Sequence, residues 1–105
     1  MINDSLCKAA QILGELMNED CFNFDDVRDL NFDERKTYLR DWIWCFFASG
    51  EPCLGAEIQR VDNNCKATGE NIDKFFENER LVADIILLMD EDIWDEFMIE
   101  ISTKD

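Results

Sequence analysis

Histidine is absent from this 105-residue chain, and proline and glycine are scarce, with one Pro and four Gly. Without His the chain lacks the commonest general base near neutral pH. It also lacks Ser-His-Asp and Cys-His nucleophile pairs, His-containing zinc sites and the Glu-x-x-His di-iron motif. The glycines are isolated, so no Gly-rich phosphate-binding loop is present. These absences predict a protein that is not an enzyme. Catalysis by carboxylates alone is the least favoured of the functional hypotheses.

The cysteine pattern gives no support for a disulfide framework or a zinc site. There are five cysteines, an odd number, and none of them forms a C-x-x-C pair. We expect free, buried thiols in a reducing cytosol. The first ten residues do not resemble a signal peptide, and the longest apolar run, residues 42–48, is too short to span a bilayer. The sequence therefore predicts a cytoplasmic protein that contains no metal or cofactor.

Positive charge is also scarce, because 10 Lys and Arg stand against 25 Asp and Glu, which gives a formal net charge of −15. This charge repels a nucleic-acid backbone and an anionic membrane surface, so direct binding to either is not expected. A basic protein would be attracted instead, and its encounter with the chain would be steered and fast. Hydrophobic residues make up 47% of the sequence, which is enough for a core despite the self-repulsion.

Apolar residues recur at steps of three and four along most of the chain, which is the spacing of one helical face. The pattern predicts an all-α fold, a single domain over residues 1–105 with four to five packed helices. The predicted segments are 4–18, a short helix or a structured loop at 24–30 with Asn23 as its cap, 31–49, 52–69 and 71–89.

The segment after Asn31 has the clearest start and the highest apolar content. Asn31 and Glu34 have the spacing of a capping box, in which each side chain binds the other residue's backbone N–H. From Trp42 to Ala48 every residue is apolar, so this part of the helix is hydrophobic on all sides. That character predicts a central helix with neighbours on several sides.

The tail after residue 90 fits two kinds of secondary structure. Ile93, Trp94 and Phe97 have helical spacing, whereas Phe97, Ile99 and Ile101 have the alternation of a strand. We favour a helix because a lone strand has no partner here, and a short strand at residues 96–103 is the alternative.

The sequence contains two sets of possible metal ligands, and neither predicts a site. A calcium-loop spacing runs from Asp62 to Asp73, but Lys66 stands at a ligand position and Ala67 stands where the turn needs Gly. The five acids within residues 90–96 could hold a divalent ion loosely, but such clusters more often form a solvated surface.

The acidic residues are concentrated in the outer segments of the chain. Residues 82–105 contain eight acids and one base, residues 1–30 contain seven acids and two bases, and residues 31–50 contain three of each. This distribution predicts two partner-binding patches. The first consists of Asp90, Glu91, Asp92, Asp95 and Glu96, and the second of Asp20, Asp25, Asp26 and Asp29.

If the two patches form one continuous negative face, that face imitates the phosphates of a nucleic acid. It would then occupy the basic groove of a nuclease, a defence complex or a DNA- or RNA-binding protein. The chain is similar in physical type, though not in any motif, to phage anti-defence proteins and to immunity proteins of nuclease toxins. The main hypothesis is therefore a non-enzymatic inhibitor. The alternatives are a solubility coat without further purpose and an adaptor or assembly module with an apolar groove.

Three aromatic residues next to acids are candidate interface anchors. Phe22 and Phe24 lie between Asp20 and Asp25 in the sequence, and such aromatics surrounded by charge are good hot spots. Trp94 also has acidic neighbours, but it shares a helical face with other apolar residues, so we expect it in the core.

Overall fold

A computed structural model describes residues 4–18, 22–49 and 69–103. These ranges contain six α-helices and no strand, which confirms the predicted all-α class for this part of the chain. The helices are α1 (Asp4–Asn18), α2 (Phe24–Val27), α3 (Phe32–Ser49), α4 (Gly69–Glu77), α5 (Glu79–Leu88) and α6 (Glu91–Thr103). The expected count of four to five is not confirmed, and the helix predicted from Pro52 lies outside the described residues.

Asparagine side chains cap the starts of helices α2 and α3, at the positions that the sequence predicts. The Asn23 side chain accepts a hydrogen bond from the Asp25 backbone N–H at 2.9 Å. The capping box of α3 forms in both directions. The Glu34 N–H donates to Asn31 Oδ1 at 2.9 Å, and the Asn31 N–H donates to Glu34 Oε1 at 3.0 Å. These bonds satisfy N–H groups that the first turn of a helix leaves free.

The apolar pattern over residues 71–89 forms two helices rather than one. Helix α4 ends at Glu77, and α5 begins at Glu79 with Asn78 as its cap. The Asn78 side chain accepts a hydrogen bond from the Leu81 backbone N–H at 3.2 Å. Asn is favourable as a helix cap and unfavourable inside a helix. The presence of Asn at position 78 was therefore the feature of the sequence that could have indicated this break.

Helix α5 is the central element of the described fold. It contacts α1 most extensively and also touches α3, α4 and α6. The expectation that α3 would be central is not met by the described residues, because Trp44 is 44% exposed. Among the described residues α3 contacts α4 and α5, and most side chains of its apolar run lie outside the described part of the chain. The buried side chains of α1 and α5 include Ile12, Leu13, Leu16, Leu81, Ile85 and Leu88.

Residues 96–103 lie in α6, so the helical alternative is confirmed and the strand alternative is wrong. Phe97 is buried, and Trp94 packs against the core as expected. Ile99, two positions after Phe97, is 63% exposed because that step rotates the side chain by about 200° around a helix. Local alternation of apolar residues therefore does not imply a strand here.

Cys7 is the cysteine whose side chain the structure describes, and it is a free, exposed thiol. The expectation of a buried thiol is wrong at this position, because Cys7 lies on the opposite side of α1 from buried Ala9. The remaining four cysteine side chains lie outside the described residues. Within the described ranges, no helix is both long enough and apolar enough to cross a membrane.

Candidate protein-binding surface

The structure brings parts of the two predicted acidic patches together at Arg28. Its Nη2 lies 3.0 Å from Asp25 Oδ1 and 3.1 Å from Glu91 Oε2. All three side chains are more than half exposed. Each ion pair therefore adds little stability, but together they place α2 beside the first turn of α6. Acids that lie more than sixty residues apart in the sequence are thus neighbours at one edge of the fold.

A cleft of about 330 Å³ lies at this edge, and we call it the acidic cleft. Its lining residues are Phe24, Arg28, Met89, Asp90, Glu91 and Asp92. Three consecutive carboxylates thus border it, and Arg28 is the cation among its lining residues. An electronegative cleft of this kind attracts a cationic group from a partner.

The acidic character continues along the exposed side of α6. Asp95 lies one helical turn after Glu91, and Glu96 lies one turn after Asp92, so the four carboxylates share one broad face. All four residues are exposed. We call Glu91, Asp92, Asp95 and Glu96 the acidic ridge. No hydrogen bond or ion pair to another described residue engages the carboxylates of Asp95 and Glu96, so their charge is available to a partner.

Asp90 has a structural task that the sequence prediction did not assign to it. Its Oδ1 accepts hydrogen bonds from the backbone N–H groups of Asp92 at 3.0 Å and Ile93 at 3.4 Å, which caps α6. The residue is also partly buried. Asp90 therefore belongs to the border of the acidic cleft, but a substitution there would disturb the helix as well as the charge.

The second predicted patch is only partly assembled by the described residues. Asp25 pairs with Arg28, while Asp26 and Asp29 are exposed in the same short segment. Asp20 lies outside the described residues, so its predicted membership of the patch stays a prediction. The described part of the second patch thus contributes Asp25 next to Arg28 of the acidic cleft, with two further exposed carboxylates in the same segment.

Arg35 fixes the position of this segment, and sequence reasoning did not single it out. Its Nε donates to the backbone carbonyls of Val27 at 3.1 Å and Leu30 at 3.2 Å. Its Nη2 donates to the Arg28 carbonyl at 3.3 Å. The guanidinium thereby binds three carbonyls at the end of α2 and in the turn that follows it. It also ties α2 to α3.

An apolar groove adjoins the acidic cleft on the other side of Asp90. It has a volume of about 440 Å³. Phe32 and Leu87 form its most open apolar walls, with exposures of 51% and 49%. We use the name apolar groove for this depression alone. Its lining residues are Leu30, Phe32, Arg35, Ala83, Asp84, Ile86, Leu87, Asp90 and Ile93.

A second depression of about 340 Å³ continues the apolar groove along α5. The two share Phe32 and Ala83, and the second also contains Lys36, Phe76 and Glu79. The open surface therefore follows α5 from Glu79, its first residue, to Asp90, two residues beyond its end. An extended apolar surface with a charged border is typical of a protein-binding site.

Asp84 is the most unusual polar group in the apolar groove. Its Oδ2 is shielded from solvent and accepts no hydrogen bond within the part of the chain that the structure describes. Buried carboxylate oxygens normally have a donor, because an unmatched one loses its hydration without compensation. Asp84 therefore presents an acceptor without a donor at the groove.

Sequence reasoning did not single out Phe32, Leu87 or Asp84. A signal for Leu87 was present in the apolar run from Ile85 to Met89. Five consecutive residues cover all sides of a helix, so such a run on a partly exposed helix must turn at least one large side chain outward. Phe32 precedes the periodic part of α3, and no sequence signal marked it.

Phe22 and Phe24, which lie beside the second patch in the sequence, make contacts with other aromatic rings. The Phe22 ring lies edge to face with Phe24 at 5.2 Å and with Tyr38 at 6.2 Å between centroids. Phe22 packs against the core, while half-buried Phe24 borders the acidic cleft. Of the two, Phe24 is therefore the better placed to touch a partner.

In the described part of the chain, no three Cys, Asp or Glu side chains are arranged to hold a metal ion. The calcium-loop pattern lies mostly outside the described residues. Its last position, Asp73, pairs with Arg40. The described acids thus form a charged surface rather than an inward-facing ligand cage.

The chain matches no known protein-family model, no curated protein sequence and no solved structure. No activity or partner of a relative can therefore be transferred to it. The acidic cleft, the acidic ridge and the apolar groove are the surface features from which a function can be inferred.

Proposed function

We propose that this protein is a non-enzymatic inhibitor that binds and blocks a basic, nucleic-acid-handling protein. The observation that carries the proposal is the meeting of two distant acidic segments at Arg28, with the unpaired carboxylates of Asp95 and Glu96 beyond it. The net charge of −15 adds a long-range field that steers a cationic protein to this surface.

The proposed partner is a nuclease, a defence complex or a DNA- or RNA-binding protein. Such proteins place Arg and Lys side chains where phosphates bind, and exposed carboxylates can take the place of those phosphates. Phage anti-defence proteins and nuclease-toxin immunity proteins are the functional classes that fit this proposal. The protein would act in the cytoplasm, where such partners are found and where its thiols stay reduced.

The proposal is tested by reversing charge on the acidic ridge. The double variant Asp95→Lys/Glu96→Lys changes two exposed positions in the middle of α6. The matched control, Asp41→Lys/Glu77→Lys, makes the same change in net charge at exposed positions of α3 and α4. Both variants leave the Asp90 cap intact, so folding can be checked by circular dichroism before binding is compared.

Tagged wild-type and variant proteins are used to capture partners from lysate at about 0.1 M and about 1 M salt. The screening length falls from about 10 Å to about 3 Å over this range. We expect a basic protein to be retained by the wild type and by the control at low salt only. The retained protein's nucleic-acid binding should then be inhibited at a one-to-one ratio. Equal capture by the ridge variant, or retention unaffected by salt, would contradict the proposal.

A second candidate function, an adaptor with an apolar binding surface, is favoured by the exposure of Phe32 and Leu87 in the apolar groove. In that case the partner would bind with nearly the same affinity at low and high salt. Substitution of Leu87 would then weaken binding more than the charge reversal at Asp95 and Glu96. The same capture experiment therefore separates the two functions.

A further inference from the structure

The acidic cleft and the apolar groove share one residue, Asp90, and are therefore two parts of one surface. Asp84 lies at the groove as well, with one oxygen buried and unpaired among the described residues. Arg35 also lines the groove, but its guanidinium is engaged by the carbonyls of Val27 and Leu30. Three carboxylates, those of Glu79, Asp84 and Asp90, thus line the apolar groove and the second depression against one cation without a described partner, Lys36.

Resting on the function proposed above, we infer that the apolar groove binds an amphipathic helix of the basic partner. Apolar side chains of that helix, spaced at i, i+3 or i+4, and i+7, pack between Phe32 and Leu87. A Lys or Arg beside them lies close to the carboxylates of Asp84 and Asp90, which line the groove. Further basic residues of the same helix face Asp92 and the rest of the acidic ridge.

The dimensions of the groove suit a helix of two to three turns. The open surface follows α5 from Glu79 to Asp90, which spans about 17 Å at 1.5 Å per residue. Phe32 stands midway along it, because it lines both depressions. An extended strand is a poor occupant, since the described residues contain no sheet edge to which it could add.

Charge decides between a basic helix and a second copy of this chain. A second copy would bring another −15 to a surface already bordered by Asp84, Asp90 and Asp92. A cationic helix instead neutralises these carboxylates as its apolar face is buried. It also brings positive charge next to Asp84, whose buried Oδ2 has no donor among the described residues.

Three synthetic peptides of about fourteen residues test the inference. The first places Leu at i, i+3, i+4 and i+7 with Lys on both flanks of that stripe. The second has the same composition in an order that gives no apolar face. The third has Glu in place of every Lys. Each is titrated by fluorescence anisotropy into the full chain, and the contacted residues are mapped by NMR chemical shifts.

The variants Leu87→Ser and Asp84→Asn test the groove. Their controls are Ile99→Ser, which removes an even more exposed apolar side chain outside the groove, and Asp41→Asn on the far face of α3. We expect the amphipathic basic peptide to bind at least about tenfold more tightly than the other two, which corresponds to about 1.4 kcal/mol. Leu87→Ser and Asp84→Asn should each weaken it about five- to tenfold, and the controls less than twofold.

The inference fails separately from the proposed function. If both basic peptides bind equally, respond only to Asp95→Lys/Glu96→Lys and ignore Leu87→Ser, the acidic ridge binds cations but the groove does not hold a helix. Preference for the acidic peptide would overturn the charge argument in both proposals. Circular dichroism verifies that each variant is folded, and Phe32→Ser provides a second test on the opposite wall of the groove.

Discussion

Two adjacent leucines of α5 should respond very differently to truncation, which tests the arrangement of the central helix. Leu88 is 1% exposed in the core, whereas Leu87 is 49% exposed in the apolar groove. The variants Leu88→Ala and Leu87→Ala make the same chemical change one residue apart in the same helix. Differences in helix propensity therefore cancel, and the measured difference reports the environment of each side chain.

The expected magnitudes follow from burial. Leu→Ala removes about three carbons, worth about 0.8 kcal/mol each when fully buried, and a rigid core adds the free energy of the cavity. We therefore expect Leu88→Ala to lower the free energy of unfolding by about 3 kcal/mol. The Leu87 side chain is about half exposed in the folded chain, and its truncation leaves no enclosed cavity. Leu87→Ala should therefore lower the free energy of unfolding by about 1 kcal/mol or less.

Thermal and urea unfolding followed by circular dichroism measure both values. A 105-residue domain has an unfolding entropy of about 0.22 kcal/mol/K at its midpoint, so 1 kcal/mol shifts Tm by about 4–5 °C. Leu88→Ala should lower Tm by about 13 °C and Leu87→Ala by about 5 °C or less. Equal losses in the two variants, with unchanged urea m values, would refute the orientation assigned to α5 and with it the apolar groove.

Three further predictions concern the caps and the charged surface. Asn31→Ala should lower the free energy of unfolding by about 1 kcal/mol, measured in urea, while Asn31→Ser should be nearly neutral because Ser also caps helices. Arg28→Gln should change stability by less than about 1 kcal/mol, since its ion pairs are exposed, yet tighten binding of a basic peptide by removing a cation from the acidic cleft. The double variant Asp95→Asn/Glu96→Gln should raise Tm slightly at low salt and lose that gain at about 1 M salt, because it reduces a self-repulsion that salt screens. A gain that persists at high salt would contradict the electrostatic explanation.

The features predictable from sequence are those that depend on neighbours in the chain. The capping box of Asn31 and Glu34 formed as predicted, because both partners lie within one helical turn. The same holds for the Asn23 cap and for the face of α6 that directs Trp94 inward. Periodicity likewise predicted the helix that the structure has as α1.

The features that the sequence did not predict depend on packing between distant segments. The apolar run of α3 indicated a central helix, but α5 occupies that place among the described helices because α1 packs along it. The pairing of Asp25 and Glu91 through Arg28, and the grouping of Phe32 with Leu87, likewise require the tertiary fold. The acidic composition could therefore suggest a basic partner, but it could not place the groove beside the charge.

The anchoring of α2 by Arg35 has a consequence for how this surface can change. A four-residue helix has too few internal hydrogen bonds to be stable alone, so its position depends on the guanidinium beneath it. The solvent-facing carboxylates of Asp26 and Asp29 can then be exchanged for other side chains with little effect on the backbone that presents them. Arg35→Lys, by contrast, would lose the planar fork that reaches several carbonyls at once. In this segment the residue that holds the backbone and the residues that face solvent are thus different, so the charge of its outer surface can change while the segment stays in place.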